Sequence, residues 1–124
     1  MKISLVFLVI GFSIISISNV SADGNDLLRE CSKAETAKDD VTLDFEDGLA
    51  LGQCLGMMQG ITNLNTIYEL ALQKNALFCN PEQGITNGEA AKIVVKYLNN
   101  NPQKFHEPKI ELAIQAFREA FPCK

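Results

Sequence analysis

Four cysteines and a single histidine are the residues of this chain whose types could support covalent or metal chemistry. Cysteine thiolates act as nucleophiles, bind zinc or form disulfides, and histidine serves as a base or a metal ligand. The spacing argues against zinc, because Cys31, Cys54, Cys79 and Cys123 include no Cys-x-x-Cys pair and His106 stands alone. We therefore expect neither a metal nor a cofactor.

Catalysis by one of these cysteines would need a free thiolate with a base within hydrogen-bond distance. His106 lies in "KFHEP", just before the start of a proline-led helix, which is typical of a surface or capping residue. Acidic pairs such as Glu46 and Asp47 indicate solvated charge at a helix start, and the glycines lack the Lys and Ser/Thr of a phosphate loop. Because none of these patterns calls for catalysis, we expect a protein that is not an enzyme. An enzyme is the less favoured alternative and would predict at least one free thiol.

The chain begins with an apolar segment, which indicates whether the cysteines are in an oxidising compartment. Lys2 provides a short positive region, residues 3–17 form a mainly apolar region, and "VSA" provides a small-residue cleavage site. The pattern predicts a secretory signal peptide over residues 1–22, cut after Ala22, and one domain over residues 23–124. An uncleaved anchor is the alternative, because the apolar run approaches the roughly 18 to 20 residues that a membrane span needs.

Export would place all the cysteines in an oxidising compartment, where an even number in a small domain indicates two disulfides. The formal charge is −4, and loss of Lys2 with the leader makes it more negative. That charge argues against nucleic acid or an anionic membrane surface as a partner. It fits a domain that meets a basic protein, although an acidic surface also serves solubility alone.

Four stretches have helical periodicity and helical ends, and strand signals are scarce. The first stretch runs from about Asn25, a good N-cap, into the charged "KAETAKDD". The second begins near Asp44, with acidic residues in its first turn, and continues to about Lys74. These two helices carry Cys31 and Cys54.

The third and fourth helices have the clearest starts. Thr86 and Glu89 form a capping box, and Pro108 is suited to the first turn of the last helix. Short connections favour antiparallel neighbours, so we expect a small all-α, single-domain bundle of about four helices. The apolar stripes are Ala90, Ile93, Val94, Tyr97 and Leu98 in the third helix, and Ile110, Ala113, Ile114, Phe117 and Phe121 in the fourth.

The antiparallel arrangement suggests a disulfide pattern. If the third and fourth helices pair, the start of one lies beside the end of the other, which brings Cys79 near Cys123. If the first and second helices pair likewise, Cys31 meets Cys54. Four cysteines allow three connectivities, so this pairing is an expectation from geometry.

Glycine occurs at every fourth position of "GLALGQCLGMMQG" in the second helix. Each glycine inside a helix costs about 1 kcal/mol relative to alanine, so the pattern calls for a reason. Residues at this spacing trace a band without side chains, which lets another backbone come close. We expect the band to pack against the first or third helix of the same chain, and a second subunit or partner protein is the alternative. The band consists of Gly48, Gly52, Gly56 and Gly60.

Four blocks of sequence together cover nearly all of the chain after the leader. They are "GNDLLREC" (residues 24–31), "CLGMMQGITN" (54–63), "CNPEQGITNGEAAKIVVKYLNNNPQKFHEP" (79–108) and "AFPC" (120–123). The blocks resemble the Rap/Tai family of immunity proteins of bacterial type VI secretion systems, and their order is more specific than any one of them. Cys54, Gly56, Gly60, Gly84, Thr86, Pro102 and His106 match the family's motifs, whereas Gly48 and Gly52 lie outside them.

The resemblance implies a small helical protein in the periplasm of a Gram-negative bacterium. Such a protein neutralises a secreted peptidoglycan amidase effector by occluding its catalytic groove, and a homodimer is implied as well. The main alternative is a periplasmic acid-stress or chaperone-like protein, which would share the leader, the disulfides and the helices but would bind many clients.

The connection before the last helix is our candidate for contact with a protein partner, because loops on a rigid scaffold usually carry recognition. In the simplest version Phe105 anchors a pocket of the partner, and Gln103 and Lys104 reach polar groups. The alternative is a plain connector in which Phe105 fills the core. The candidate residues are Asn101, Gln103, Lys104, Phe105 and His106.

Overall fold

The computed structural model describes residues 22–36, 42–72 and 76–123, so residues 1–21 of the predicted leader lie outside it. Across these ranges the chain forms four helices and no strand, which confirms the predicted small all-α fold. None of these helices is long and apolar enough to cross a membrane. The helices are α1 (Gly24–Thr36), α2 (Phe45–Leu70), α3 (Asn87–Asn100) and α4 (Lys109–Ala120), with a 3-10 turn at Pro102–Lys104.

Helix α1 begins slightly earlier than the sequence suggests. Asn25 is the predicted N-cap, but the Asp23 carboxylate takes that role and accepts hydrogen bonds from the N–H groups of Asn25 (2.9 Å) and Asp26 (3.3 Å). Desolvation works to raise the pKa of this carboxyl, but those N–H groups outweigh it and hold the pKa below its usual value. The helix can therefore include Gly24.

Helix α2 starts as predicted, because the Asp44 side chain accepts from the Asp47 N–H at 2.8 Å. The helix ends at Leu70, and the predicted end at Lys74 lies outside the described residues. One face of α2 points into the core, with its members spaced three and four residues apart. The buried residues of that face are Ala50, Cys54, Met58, Ile61 and Asn65.

Asn65 is a buried polar residue that sequence periodicity did not single out. Its Oδ1 accepts from the Leu77 N–H at 2.7 Å, and its Nδ2 donates to the Phe78 carbonyl at 2.9 Å. The side chain is fully buried, so these bonds satisfy both ends of the amide and the backbone beside it. Asn65 thereby attaches the segment before α3 to α2 and positions Phe78, whose ring packs against Phe117 with centroids 4.9 Å apart.

Helix α3 carries the predicted capping box: the Thr86 N–H donates to the Glu89 carboxylate at 2.8 Å, and the Glu89 N–H donates to the Thr86 hydroxyl at 3.2 Å. In α4 the prediction for Ile110 is wrong, since 56% of this residue is exposed. The side of α4 that faces the core is the one that carries Leu112 and Ala116. Helices α1 and α3 pack against α4. Its buried residues are Leu112, Ala113, Ala116 and Phe117.

Both expected disulfides are present, Cys31 with Cys54 and Cys79 with Cys123. The first lies fully inside the core between α1 and α2. The second joins the segment before α3 to the residues after α4. Each bridge contributes about 2 to 4 kcal/mol by restricting the unfolded chain.

Candidate partner-binding surfaces

The cysteines and the single histidine do not form a nucleophile–base pair. All the cysteines are in disulfides, so none offers a thiolate, and His106 lies exposed after the 3-10 turn. Among the described residues no group of three or more His, Cys, Asp or Glu side chains could hold a metal ion. The surfaces that remain to be considered are those that could bind another protein.

The α3–α4 connection (residues 101–108) contains the candidates from the sequence, and the structure separates them by exposure. Gln103 and His106 are exposed, whereas Asn101, Lys104 and Phe105 are half-buried. The Asn101 side chain donates to the Tyr97 carbonyl at 2.9 Å and so continues the end of α3 into the connection. Gln103 and His106 are therefore the members most accessible to a partner.

Lys104 belongs to a hydrogen-bond network that links the connection to α3 and α4. Its ammonium donates to the Tyr97 hydroxyl and to Oε1 of Gln115, both at 2.7 Å. The Tyr97 hydroxyl also donates to that Oε1 at 2.7 Å, and Nε2 of Gln115 donates to the Glu107 carboxylate at 2.8 Å. The Lys104 ammonium is thus engaged within the chain, and we call these four residues the connection network.

The connection network changes the acid–base behaviour of Lys104. The hydrogen bond to the Tyr97 hydroxyl raises the pKa of the ammonium above its usual value, against desolvation, which lowers it. The charges of Glu107 and Glu119 act in the same direction as the hydrogen bond. Lys104 therefore remains protonated at neutral pH and keeps all its donors for the network.

Phe105 points inward and packs against the hydrophobic core. This agrees with the alternative in which the connection is a plain connector and Phe105 fills the core. Its carbonyl accepts a hydrogen bond from the Gly24 N–H at 2.8 Å, which ties the connection to the first turn of α1. Gly24 is required at this contact, because a Cβ there would lie 2.8 Å from both the Phe105 Cα and a Leu112 methyl carbon. The connection is thus held by α1 as well as by α3 and α4.

Ile110 is a candidate that sequence analysis missed, because helical periodicity assigned it to the core. It lies in the first turn of α4, directly after the connection, with more than half of its surface exposed. Its carboxyl-side neighbour, Glu111, is also exposed. An exposed apolar side chain beside exposed polar ones can take part in a protein contact, so Ile110 joins the candidates of the connection.

A second surface is the outer face of α2, which we define as Phe45, Leu49, Ile67 and Leu70 together with the glycine band. None of these residues is charged, and the four large side chains are 84%, 53%, 50% and 73% exposed. The glycines are displaced by two positions, or about 200°, from the buried residues Ala50, Cys54 and Met58. A helix that is apolar on both sides is typical of one with contacts on both sides.

The expectation that the glycine band packs against α1 or α3 is wrong. A Cβ built at any of the four positions meets no described atom within 4 Å. The reason is the helical period: the core takes Cys54 and Met58, and that choice turns the band toward solvent. Close approach by another molecule is the alternative that remains.

The model of the family described as Rap1a immunity proteins matches residues 23–123. No curated protein and no solved structure matches the chain. The matched range contains every described helix, both disulfides and the α3–α4 connection. It confirms the resemblance to Rap/Tai immunity proteins, and because it covers most of the sequence, the chain belongs to the Rap1a immunity protein family, whose members are immunity proteins against secreted effectors.

Proposed function

We propose that this immunity protein binds a secreted peptidoglycan amidase of a type VI secretion system and occludes its active-site groove. Membership of the Rap1a family over residues 23–123 is the observation that carries the proposal. Binding is sufficient for protection, because an amidase whose groove is covered cannot reach peptidoglycan. The producing cell and its siblings would then survive delivery of the effector.

We place this activity in the periplasm of a Gram-negative bacterium, after cleavage of a signal peptide behind Ala22. The family match begins at residue 23, the first residue after the expected cleavage site. Both disulfides favour an oxidising compartment. Peptidoglycan lies in the same compartment, so inhibitor and effector would meet where the damage occurs.

The α3–α4 connection is our proposed contact surface for the effector. Gln103 and His106 are exposed there, and Ile110 adds an apolar side chain at the start of α4. A groove of about 230 Å³ between α3 and α4, lined in part by Tyr97 and Asn100, reaches the end of α3, where the connection begins. Asn101, Lys104 and Phe105 would support the contact from within the chain.

A pull-down tests the function. The chain from Asp23 to Lys124, with its disulfides formed, is used to capture partners from lysates that contain secreted amidases. We expect one stoichiometric amidase, whose hydrolysis of peptidoglycan falls when the immunity protein is added. A Gln103→Ala/His106→Ala variant should bind more weakly, whereas Gln83→Ala, which changes an exposed residue before α3, should bind normally.

Many weak partners, with stronger capture at acidic pH, would instead favour the chaperone-like alternative. The exposed apolar side chains of α2 are the feature that such a protein would use for its clients. An amidase that binds but keeps its activity would contradict occlusion of the groove. The immunity role would then require another mode of binding.

We further propose that the protein is a homodimer through the outer face of α2. The residues of this face are ordered almost symmetrically about the middle of the helix. When two copies of α2 run antiparallel with Gly56 opposite Gly60 of the second copy, Leu49 lies opposite Ile67, and Phe45 lies within one residue of the position opposite Leu70. A self-complementary patch of this kind is what a two-fold interface requires, and the absence of charge avoids repulsion between two acidic chains.

Light scattering on a Gly56→Leu variant tests the dimer. The substituted side chain has open space in the monomer, so the fold should persist while the two helices can no longer approach closely. Lys92→Leu, which adds a leucine at an exposed position of α3, is the matched control and should leave the mass unchanged. A folded Gly56→Leu dimer would exclude the outer face of α2 as the interface.

A further inference from the structure

The α3–α4 connection is held more firmly than its position between two helices requires. At its start, the Asn101 side chain bonds to the end of α3. In its middle, the carbonyl of Phe105 accepts from Gly24 of α1. Beyond its end, the Lys109 ammonium contacts both oxygens of the Glu30 carboxylate, at 3.1 and 3.2 Å, and Glu30 is only 3% exposed.

The connection network adds a further restraint, because it joins the side chains of Lys104 and Glu107 to Tyr97 of α3 and Gln115 of α4. The Gln115 amide bridges two opposite charges: its oxygen faces the Lys104 ammonium and its nitrogen faces the Glu107 carboxylate. Reversing the amide would place donor against donor and acceptor against acceptor. The Gln115 amide therefore links two positions of the connection, Lys104 and Glu107, to α4.

Apart from Tyr97, which is buried and belongs to the core, the network residues lie outside the core. Lys104, Glu107 and Gln115 are half-buried, so water could replace each partner if the network opened. The main consequence of the network is then local order in residues 102–107, and its contribution to global stability is secondary. Local order matters when a segment must bind, because a segment that is already ordered loses less conformational entropy in the complex.

We propose that Tyr97, Lys104 and Gln115 are positioning residues, which hold the connection in the conformation that the effector recognises. This inference rests on the proposed function, in which the exposed side of the connection contacts the effector. Gln103 and His106 make the contact and the network fixes their directions. Loss of the network leaves the contacting side chains in place but lets the segment sample other conformations, so that only a fraction of molecules are competent to bind.

Hydrogen exchange on the free protein tests the positioning role without any effector. The amides of Lys104, Phe105 and Glu107 donate to carbonyls within the connection and report its opening. In Gln115→Leu we expect about tenfold faster exchange at these amides, and unchanged exchange in α2, from the loss of charge-assisted hydrogen bonds. Tyr97→Phe removes one hydroxyl and should give a smaller increase, and Gln83→Leu, the same change at an exposed site outside the network, should give none.

Binding of the amidase captured in the pull-down supplies the second measurement. We expect Gln115→Leu to weaken binding by about the same factor as it speeds exchange, mostly through slower association. Unchanged exchange in Gln115→Leu would overturn the positioning role, and faster exchange with unchanged affinity would overturn its link to recognition. If the wild-type chain binds no amidase, the proposed function fails, while the exchange result still decides whether the network orders the connection.

Discussion

Glycine has opposite roles in two regions of this protein. At the first turn of α1, Gly24 is buried, and a Cβ would collide with the Phe105 backbone and with Leu112. On the outer face of α2, a Cβ added to any of the four glycines would meet no described atom within 4 Å. The glycine of α1 is explained by the fold of the chain itself. The glycines of α2 destabilise their helix without any contact among the described residues that would compensate. The proposed dimer would account for them, because it needs close approach at this face.

We expect the largest difference in unfolding free energy between a substitution on the buried face of α2 and one on its outer face. Met58 is fully buried, and Met58→Ala should lower the free energy of unfolding by about 2 to 5 kcal/mol through lost contacts and a cavity. Leu49 is 53% exposed, and Leu49→Ala should change it by less than about 0.5 kcal/mol. Urea denaturation, at a concentration where light scattering gives the monomer mass, measures both. Equal losses would mean that the outer face has an intrachain partner.

Gly24→Ala is the next largest effect expected. The added methyl group would force the first turn of α1 away from Phe105 and strain the hydrogen bond between them, at a cost of about 1 to 3 kcal/mol typical of overpacking. Thermal or urea unfolding of the variant checks the loss. A variant as stable as the wild type would show that the α1 contact is loose, and would remove one of the restraints on the α3–α4 connection.

Gly52→Ala should have the opposite sign. Position 52 is exposed and helical, so alanine should stabilise the monomer by roughly 0.5 to 1 kcal/mol through higher helix propensity. The same methyl group should weaken association of two copies through the outer face of α2. Urea unfolding at a concentration where the protein is monomeric, and light scattering at a higher concentration where it associates, should therefore give changes in opposite directions. Stabilisation without weaker association would break the proposed link between the glycine band and the dimer.

Periodicity and end signals are enough to predict the helices and the disulfide pairing. The capping box at Thr86 and the Asp44 cap are local features, and local features are readable from sequence. The direction of each helix face is harder to predict, because α2 and α4 have apolar residues on more than one side. The predictions for Ile110 and the glycine band are wrong for that reason, since only tertiary packing decides which apolar side faces the core.

The candidate surface is only partly predictable for a related reason. The sequence places Gln103, Lys104, Phe105 and His106 in one connection, but does not tell which side chains turn inward. For Lys104 that outcome depends on Gln115, which lies 11 residues later, in α4. The Oε1 atom of Gln115 accepts a hydrogen bond from the Lys104 ammonium. A hydrogen-bond network between elements has no signature in the spacing of residues along one element.

The smallest effect expected concerns pH and separates the network from the outer face of α2, which contains no titratable group. The folded state raises the pKa of Lys104 above its usual value of 10.5, mainly through the bond to Tyr97. Its contribution to stability is therefore complete below pH 10.5 and is lost as the pH rises through the higher folded-state value. The difference in unfolding free energy between the wild type and Lys104→Met should stay constant from pH 7 to about pH 10 and then shrink. Lys92→Met, at an exposed position of α3, should show no such change. If the difference between the wild type and Lys104→Met persists at high pH, the network does not depend on the charge of Lys104.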